Sequence, residues 1–367
     1  MGNMGKVSIV RTNEGIKSSL QKALDLIGGL ENYICRDERV MLKPNLNGTE
    51  GITNIELVEA LIQLLLDFKV KKIVIAESTF GDQQMTDMCF NKSGYVELAT
   101  KYGINLINLN KSEIVEVKVR KPLALEKLKI AREVFEVDKI INIPVMKVHY
   151  ATGITLALKN LKGLLVGDEK KHFHEVGLDK AIVDLNNTIK PGLNIIDCIS
   201  CMERMGPKGW DIVSLNLLVA GGDCAEVDYV GSLLMGYELE EVKHLKYYIE
   251  ENKIDLGKIE LVGESIEDVK YGFKKVEMEN IIPSGFKIYS KNACSSCMNA
   301  LLLSCQFLEK DLPDNVEIYL GSMVKEGGSS DAVKIAFGNC CKSGAFFDRI
   351  VKGCPPYPFM LKKVLEK

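Results

Sequence analysis

The sequence predicts an α/β protein: a layered N-terminal domain on a mainly parallel sheet, followed by a smaller α/β module. Three observations carry this reading. Short apolar runs such as Lys72-Ile-Val-Ile-Ala76 and Lys139-Ile-Ile-Asn-Ile143 mark strands buried on both faces. Segments of helical spacing alternate with them. Six of the eleven cysteines fall between Cys294 and Cys354, which sets the last fifth of the chain apart as a module of its own.

The elements follow in order. Lys6-Val-Ser-Ile-Val-Arg11 alternates as a first strand, and residues 14–26 have helical spacing that stops at Gly28-Gly29. Residues 39–43 form a strand ended by Pro44-Asn45. Asn54 caps a helix to Phe68, whose apolar side is Leu57, Leu61, Leu64 and Leu65. The buried run 72–76 leads to Glu77-Ser78-Thr79. A helix over 94–102, a strand over 104–109, a hairpin over 113–131 and a buried strand over 139–143 come next. Residues 152–165 read as a helix, 167–174 as a basic polar loop, and 179–189 as a helix stopped by Pro191-Gly192. A strand at 193–197, a loop at Gly206-Pro207-Lys208-Gly209, a strand over 212–220, helices from 225 and over 239–251, and a strand at 258–262 complete a domain spanning 1–280. The module 284–367 has strands at 286–290, 316–320 and 333–337, a helix over 298–308, a Gly327-Gly328-Ser329-Ser330 turn and a helix over 344–351.

Bulk properties narrow the function. The 367 residues are 46% hydrophobic and 26% charged, as in an ordinary globular protein. A net charge of −3 gives no electrostatic case for nucleic acid. No apolar run reaches the roughly 18 residues of a membrane span. The first residues lack an apolar signal core, and Lys6 stands where a myristoylation motif wants Ser or Thr. The chain therefore reads as cytoplasmic, with no membrane partner. In that compartment, clustered cysteines point to metal or redox chemistry rather than disulfides.

In open parallel sheets, ligands bind beyond the carboxyl ends of strands. Those ends carry Lys43, Asn45, Glu77, Lys147 and His149, and the following helix adds Lys159, Asn160 and Lys162. Such a group of lysines favours a small anionic ligand, a carboxylate or phosphate. His149, Lys159 and Lys147 are the catalytic candidates. Glu77, Asp223 and Asp228 could offset the charge, act as general acid or base, or bind a cation with the ligand. A helix-capping or solvated Asp228 is the bland alternative. His172-Phe-His174 could be a mobile lid or a plain loop. Neither a Gly-x-Gly-x-x-Gly after the first strand nor a Walker phosphate loop is present, so NAD and ATP are not expected.

Cys294-x-x-Cys297, Cys340 and Cys354-Pro355-Pro356 fall where strands give way to loops, which suits ligation of a 4Fe-4S cluster. The alternatives are a structural zinc site or inert buried thiols. Zinc ribbons use two close Cys-x-x-Cys knuckles, and here there is one. Cys305 falls about two helical turns after Cys297 and reads as core. Cys340 and the adjacent Cys341 remain alternative ligands. Cys198-x-x-Cys201 is a redox dithiol or an incidental pair. The functional expectation is a redox enzyme that passes electrons from the cluster to the anionic ligand, with a redox protein as donor or acceptor. A Lewis-acid lyase and a non-enzymatic electron-transfer or scaffold subunit are the alternatives.

Two resemblances bear on this. Cys294-x-x-Cys297, Gly338-Asn-Cys340-Cys341-x-x-Gly344 and Gly353-Cys354-Pro355-Pro356 resemble the cluster loops in the small subunit of nickel–iron hydrogenases and of complex I. That resemblance covers about 75 residues and implies one four-iron four-sulfur cluster, with Cys340 matching a ligand position. Cys305 and Cys341 are extra to the pattern. Lys43-Pro44-Asn45, Met146-Lys147-x-His149, Thr155-Leu-Ala-Leu-Lys159-Asn160-Leu-Lys-Gly163, Gly206-Pro-x-Gly209 and Ala220-Gly-Gly-Asp223 with Asp228 resemble the family named domain of unknown function 362. Membership implies an iron–sulfur association without naming a reaction. It does not account for Cys198 and Cys201.

Overall fold

The computed structural model describes residues 5–46, 48, 50–79, 82–204, 211–290, 293–308, 313–322, 329–341 and 346–366. The chain divides into two compact units: Met1–Lys170 with Asp179–Lys275, and Lys171–Leu178 with Val276–Lys367.

The first unit is built on an eleven-stranded sheet. Five strands run parallel in the order Leu193–Met202, Lys139–Ile143, Arg39–Pro44, Lys72–Glu77, Asn105–Asn108. The apolar runs of the inner strands Lys72–Glu77 and Lys139–Ile143 are buried on both faces, as parallel strands between helical layers must be. On the other flank, Leu217–Gly221 lies antiparallel between Leu193–Met202 and Lys6–Arg11, which then pairs in parallel with Glu260–Gly263. The helices Ile16–Leu26 and Ile55–Phe68 cover one face through Leu20, Leu24, Leu57, Leu61 and Leu65. Asn54 caps the second of these as the sequence predicts, its side chain accepting from the N–H groups of Glu56 and Leu57. The expected hairpin is Ile114–Lys118 paired with Lys127–Ala131.

Several local expectations are corrected. Residues 152–165 are not one helix. Gly153, at φ +74°, turns the chain into a short strand, Gly153–Thr155, which pairs back onto Val145–His149. Helix Ala157–Asn160 and a tighter turn, Leu161–Leu164, follow. The stretch read as a loop over 167–174 is the helix Glu169–Val176, in which the buried Phe173 supplies an apolar anchor between Lys and His residues. The strand over 212–220 breaks at Asn216, φ +54°, into Ile212–Val213 and Leu217–Gly221. The Gly206-Pro207-Lys208-Gly209 loop lies outside the described residues, as do Gly327-Gly328 and residues 342–345.

The second unit has four parallel strands in chain order, Phe286–Ser290, Val316–Leu320, Val333–Phe337 and Arg349–Val351. The last of these occupies part of the expected 344–351 helix, and Ile350-Val351 suits a pleated strand better than a helix. Helices Ser295–Gln306 and Phe359–Leu365 pack through Leu301, Cys305, Leu361 and Leu365 over Phe286, Val316, Ile318, Leu320, Ile335 and Phe337. The alternate residues reach the other face. There Tyr289 and Tyr319 stack at 4.7 Å, and the Tyr319 hydroxyl donates to the buried Glu317 at 2.7 Å.

Candidate functional site

The carboxyl ends of the first unit's parallel strands gather an interior cationic site. Lys43 is the penultimate residue of Arg39–Pro44, and Glu77 is the last of Lys72–Glu77. Both are buried, and Lys43 Nζ meets Glu77 Oε2 at 2.5 Å and the Pro44 carbonyl at 2.8 Å. Glu77 Oε1 accepts from the Ser78 N–H at 2.7 Å. Lys147 and His149 share one face of Val145–His149 by the two-residue period of a strand. Lys147 Nζ donates to Asn45 Oδ1 at 2.7 Å, and Asn45 Nδ2 donates to Asn160 Oδ1 at 2.9 Å. Asn160 Nδ2 in turn donates to Asn142 Oδ1 at 2.8 Å, and Asn142 donates to Asn194 Oδ1 at 3.0 Å. This amide chain links three neighbouring parallel strands to the short helix that carries Lys159. Lys159 Nζ lies 2.9 Å from Thr155 Oγ1.

Two further groups belong here that sequence reading did not single out. Lys170 is buried and donates to Ser78 Oγ and to the carbonyls of Ser78 and Thr79, the last at 2.6 Å. Its only sequence signal was a Lys-Lys-His run that read as a solvated loop. His244 is fully buried, with Nδ1 3.4 Å from Asp179 Oδ1, and it lay in a helix with no motif around it.

Burial holds these ammonium groups below the ordinary lysine range. Lys147, Lys162 and Lys170 are each lowered to about 7, chiefly by burial, with Asp197 and Glu77 partly offsetting it at Lys147. Lys43 is lowered by burial, against the pull of Glu77. Lys159 is held well below its usual value by burial and then by the charges of Lys162 and Lys147. The carboxylates whose charge reaches these five lysines are Glu77, Asp197 and Asp179. Burial raises Asp197 itself to about 6. Positive charge is therefore in excess in a site with little water, and a bound anion would relieve it.

Other predicted residues take structural places. Asp228 is fully buried, and its two carboxylate oxygens accept from the N–H groups of Ala157 and Leu158 at 2.6 and 2.9 Å. It caps the helix that carries Lys159 and Asn160, and burial pushes its carboxyl up to about 8. Asp223 caps Cys224–Leu234 by accepting from the N–H groups of Ala225 and Glu226. Both aspartates serve as helix caps, the alternative that the sequence reading gave for Asp228. His149 is buried, accepts from the Ala151 N–H at Nδ1 and stacks on Tyr150 at 4.8 Å. Lys162 follows Lys159 by one helical turn. Cys198 and Cys201 are both buried on Leu193–Met202, their thiols in contact with each other, and burial pushes Cys198 up.

In the second unit the parallel strands place three cysteine-bearing loops at one edge. Cys294 follows Phe286–Ser290 and precedes helix Ser295–Gln306, Cys340 follows Val333–Phe337, and Cys354 follows Arg349–Val351. The Cys297 thiol, then the N–H groups of Cys297 and Ser296 at the helix start, hold Cys294 down to about 6. Cys297 is raised, first by its contact with Cys294 and by burial, and then by the charges of Cys354 and Cys340. Cys340 is raised by burial and then by the charges of Cys354 and Cys294. Gly338 sits at φ +101°, and a Cβ there would stand 3.2 Å from Cys297 Sγ. The loop thus needs glycine twice over, for its conformation and for the space the sulfur takes.

Cys341 points elsewhere: its thiol donates to the carbonyls of Tyr319 at 3.1 Å and Gly321 at 3.4 Å. Cys305 lies in the helix–sheet core, as expected. Among the described residues, no three His, Cys, Asp or Glu side chains form a group that could hold a single metal ion. Among the described residues, no helix is long and apolar enough to cross a membrane.

Residues 40–232 match the family model described as Domain of unknown function (DUF362). A thylakoid-associated protein of Synechocystis is 28% identical over 239 residues, covering 61% of this chain and 72% of that protein. Among solved structures, the chain is similar to the lactate racemase apoprotein of Thermoanaerobacterium thermosaccharolyticum. The TM-score is 0.38 and the identity 13%, over 87% of this chain and 69% of the other, and a likeness at that score carries no argument.

Proposed function

The chain belongs to the domain-of-unknown-function 362 family, and from that premise we propose that it is a cytoplasmic iron–sulfur redox enzyme acting on a small anion. The single observation that carries the reading is the placement of Cys294, Cys297, Cys340 and Cys354 just beyond the ends of parallel strands in the second unit. These four residues would hold a 4Fe-4S cluster, which when bound supplies electrons one at a time. The Cys294 thiol, already lowered, is the first to offer a thiolate.

In the first unit, Lys147, Lys159 and Lys162 bind and orient the anion, and Lys170, held by Ser78 and Thr79, adds positive charge to the site. Asn45 and Asn160 fix the rotamers of that surround through their amide chain. Lys43 stays paired with Glu77 and shapes the floor. Lysines near neutrality can also give or take a proton at the reacting atom. A redox protein serves as electron donor or acceptor.

The test is anaerobic. The protein is reduced, mixed with small carboxylates and phosphates that raise its melting temperature, and followed by cluster absorbance. Reoxidation by a stabilising anion supports the reading. A cluster that cycles reversibly but is never reoxidised by such an anion would leave an electron-transfer subunit instead.

A further inference from the structure

We propose that Lys159 is an amine nucleophile that condenses with the carbonyl carbon of a small anionic aldehyde or ketone, such as a 2-oxo acid, to form an imine. The inference rests on the anion-binding reading of the first unit and adds the reactive group of the ligand.

A nucleophilic lysine must be neutral, and proteins keep one neutral by desolvating it beside other cations. Lys159 is 9% exposed, and its Nζ meets a neutral hydroxyl, Thr155 Oγ1, at 2.9 Å. That hydroxyl can donate to a neutral amine. The neighbouring lysines are committed otherwise: Lys43 to Glu77, Lys147 to Asn45, and Lys170 to Ser78 and Thr79. Lys162 stands one turn along the same helical stretch, and its charge and that of Lys147 reach Lys159. Those two ammonium groups oppose protonation of Lys159 and attract the carboxylate of the incoming ligand.

A second observation is independent of the lysines. His244 is fully buried, its Nδ1 faces Asp179 Oδ1 at 3.4 Å, and its Nε2 has no hydrogen-bond partner among the described residues. Buried polar groups are rarely left so. The charge of Lys159 reaches both residues of this pair. In this proposal the His244–Asp179 pair moves the protons that condensation requires. Nζ adds to the carbonyl carbon, forming the C–N bond of a carbinolamine. The nitrogen gives up its two protons in turn, the former carbonyl oxygen takes up two and leaves as water, and the C=N bond forms. No electrons are exchanged in this step, so no oxidant is needed.

The test uses the full chain, incubated at pH 7 with cyanoborohydride and either glyoxylate or the uncharged acetaldehyde, then digested for peptide mass mapping. An exposed lysine is neutral about once in a thousand at pH 7, so Lys159 should be labelled by glyoxylate at least about tenfold faster than Lys180 or Lys243. Acetaldehyde, which lacks the carboxylate, should label Lys159 more slowly than glyoxylate does. Mapping the wild-type chain locates the adduct even if Lys159→Arg fails to fold. Oxalate, an unreactive dianion, separates the two readings. If oxalate raises the melting temperature but glyoxylate labels Lys159 no faster than exposed lysines, the imine is overturned and the anion site stands. If oxalate does not stabilise the protein and glyoxylate labels Lys159 no faster than exposed lysines, both fall.

Discussion

Gly163→Ala would strike the floor of the anion site through a single methyl group. The added Cβ would stand 1.8 Å from Glu77 Oε1 and 2.6 Å from Lys43 Nζ. The carboxylate has little room to yield, since Oε1 accepts from the Ser78 N–H and Oε2 from Lys43. Gly163 does not occupy the left-handed region, so alanine suits the backbone and the cost is the contact alone. Overpacking costs about 1–3 kcal/mol, and parting a buried ion pair about 3–5 kcal/mol. Glu77 must withdraw from Lys43 for the methyl to fit, so a loss of about 3–5 kcal/mol is expected. At about 2–4 °C per kcal/mol for a unit of this size, the melting temperature should fall by roughly 6–20 °C. Thermal and urea unfolding followed by circular dichroism would measure it. Glu77→Ala removes the obstructing carboxylate and leaves only the end of Lys43 to move, so Gly163→Ala should cost markedly less in the Glu77→Ala background than in the parent. A Gly163→Ala protein as stable as the parent, or losses that simply add, would refute the argument.

Other outcomes follow from the same geometry. Asp228→Ala strips the acceptor from two buried N–H groups and should cost about 2–4 kcal/mol in urea unfolding, with a smaller loss for Asp228→Asn. A bound anion favours the ammonium forms of Lys147, Lys162 and Lys170, which sit near 7 without it. Binding should therefore take up protons, and affinity should fall as pH rises through about 7. Calorimetry in buffers of different ionisation enthalpy would show this, and an affinity constant from pH 6 to 9 would contradict it. Without ligand the sign is different: these folded-state values lie below the ordinary 10.5, so stability rises from about pH 7 towards 10.5 and is lost as pH falls through 7. Cys341→Ser should leave bound iron unchanged while Cys340→Ser lowers it, because the Cys341 thiol is turned to the carbonyls of Tyr319 and Gly321.

The parallel strands were legible because apolar runs such as 72–76 and 139–143 have no other good place than between helical layers. The strands at Phe286–Ser290, Val316–Leu320 and Val333–Phe337 emerged with the bounds read from the sequence. Lys43, Asn45, Glu77, Lys147, Lys159 and Asn160 were findable because each falls at a strand end or one turn beyond it. Local pattern failed where long-range pairing decided. Gly153–Thr155 becomes a strand only because Val145–His149 lies beside it, and Arg349–Val351 only because Val333–Phe337 does. Asp228 looked like a ligand because its partners, the N–H groups of Ala157 and Leu158, lie about seventy residues away in sequence. Lys170 and His244 were missed because nothing in their neighbours' identities reveals burial.

The most direct measurement is an iron and sulfide count on anaerobically purified protein, with EPR spectra after dithionite reduction. The account predicts about four irons and four sulfides per chain, and a reduced-cluster signal that Cys354→Ser abolishes. Stoichiometric zinc without sulfide, and no signal in the parent protein, would contradict it.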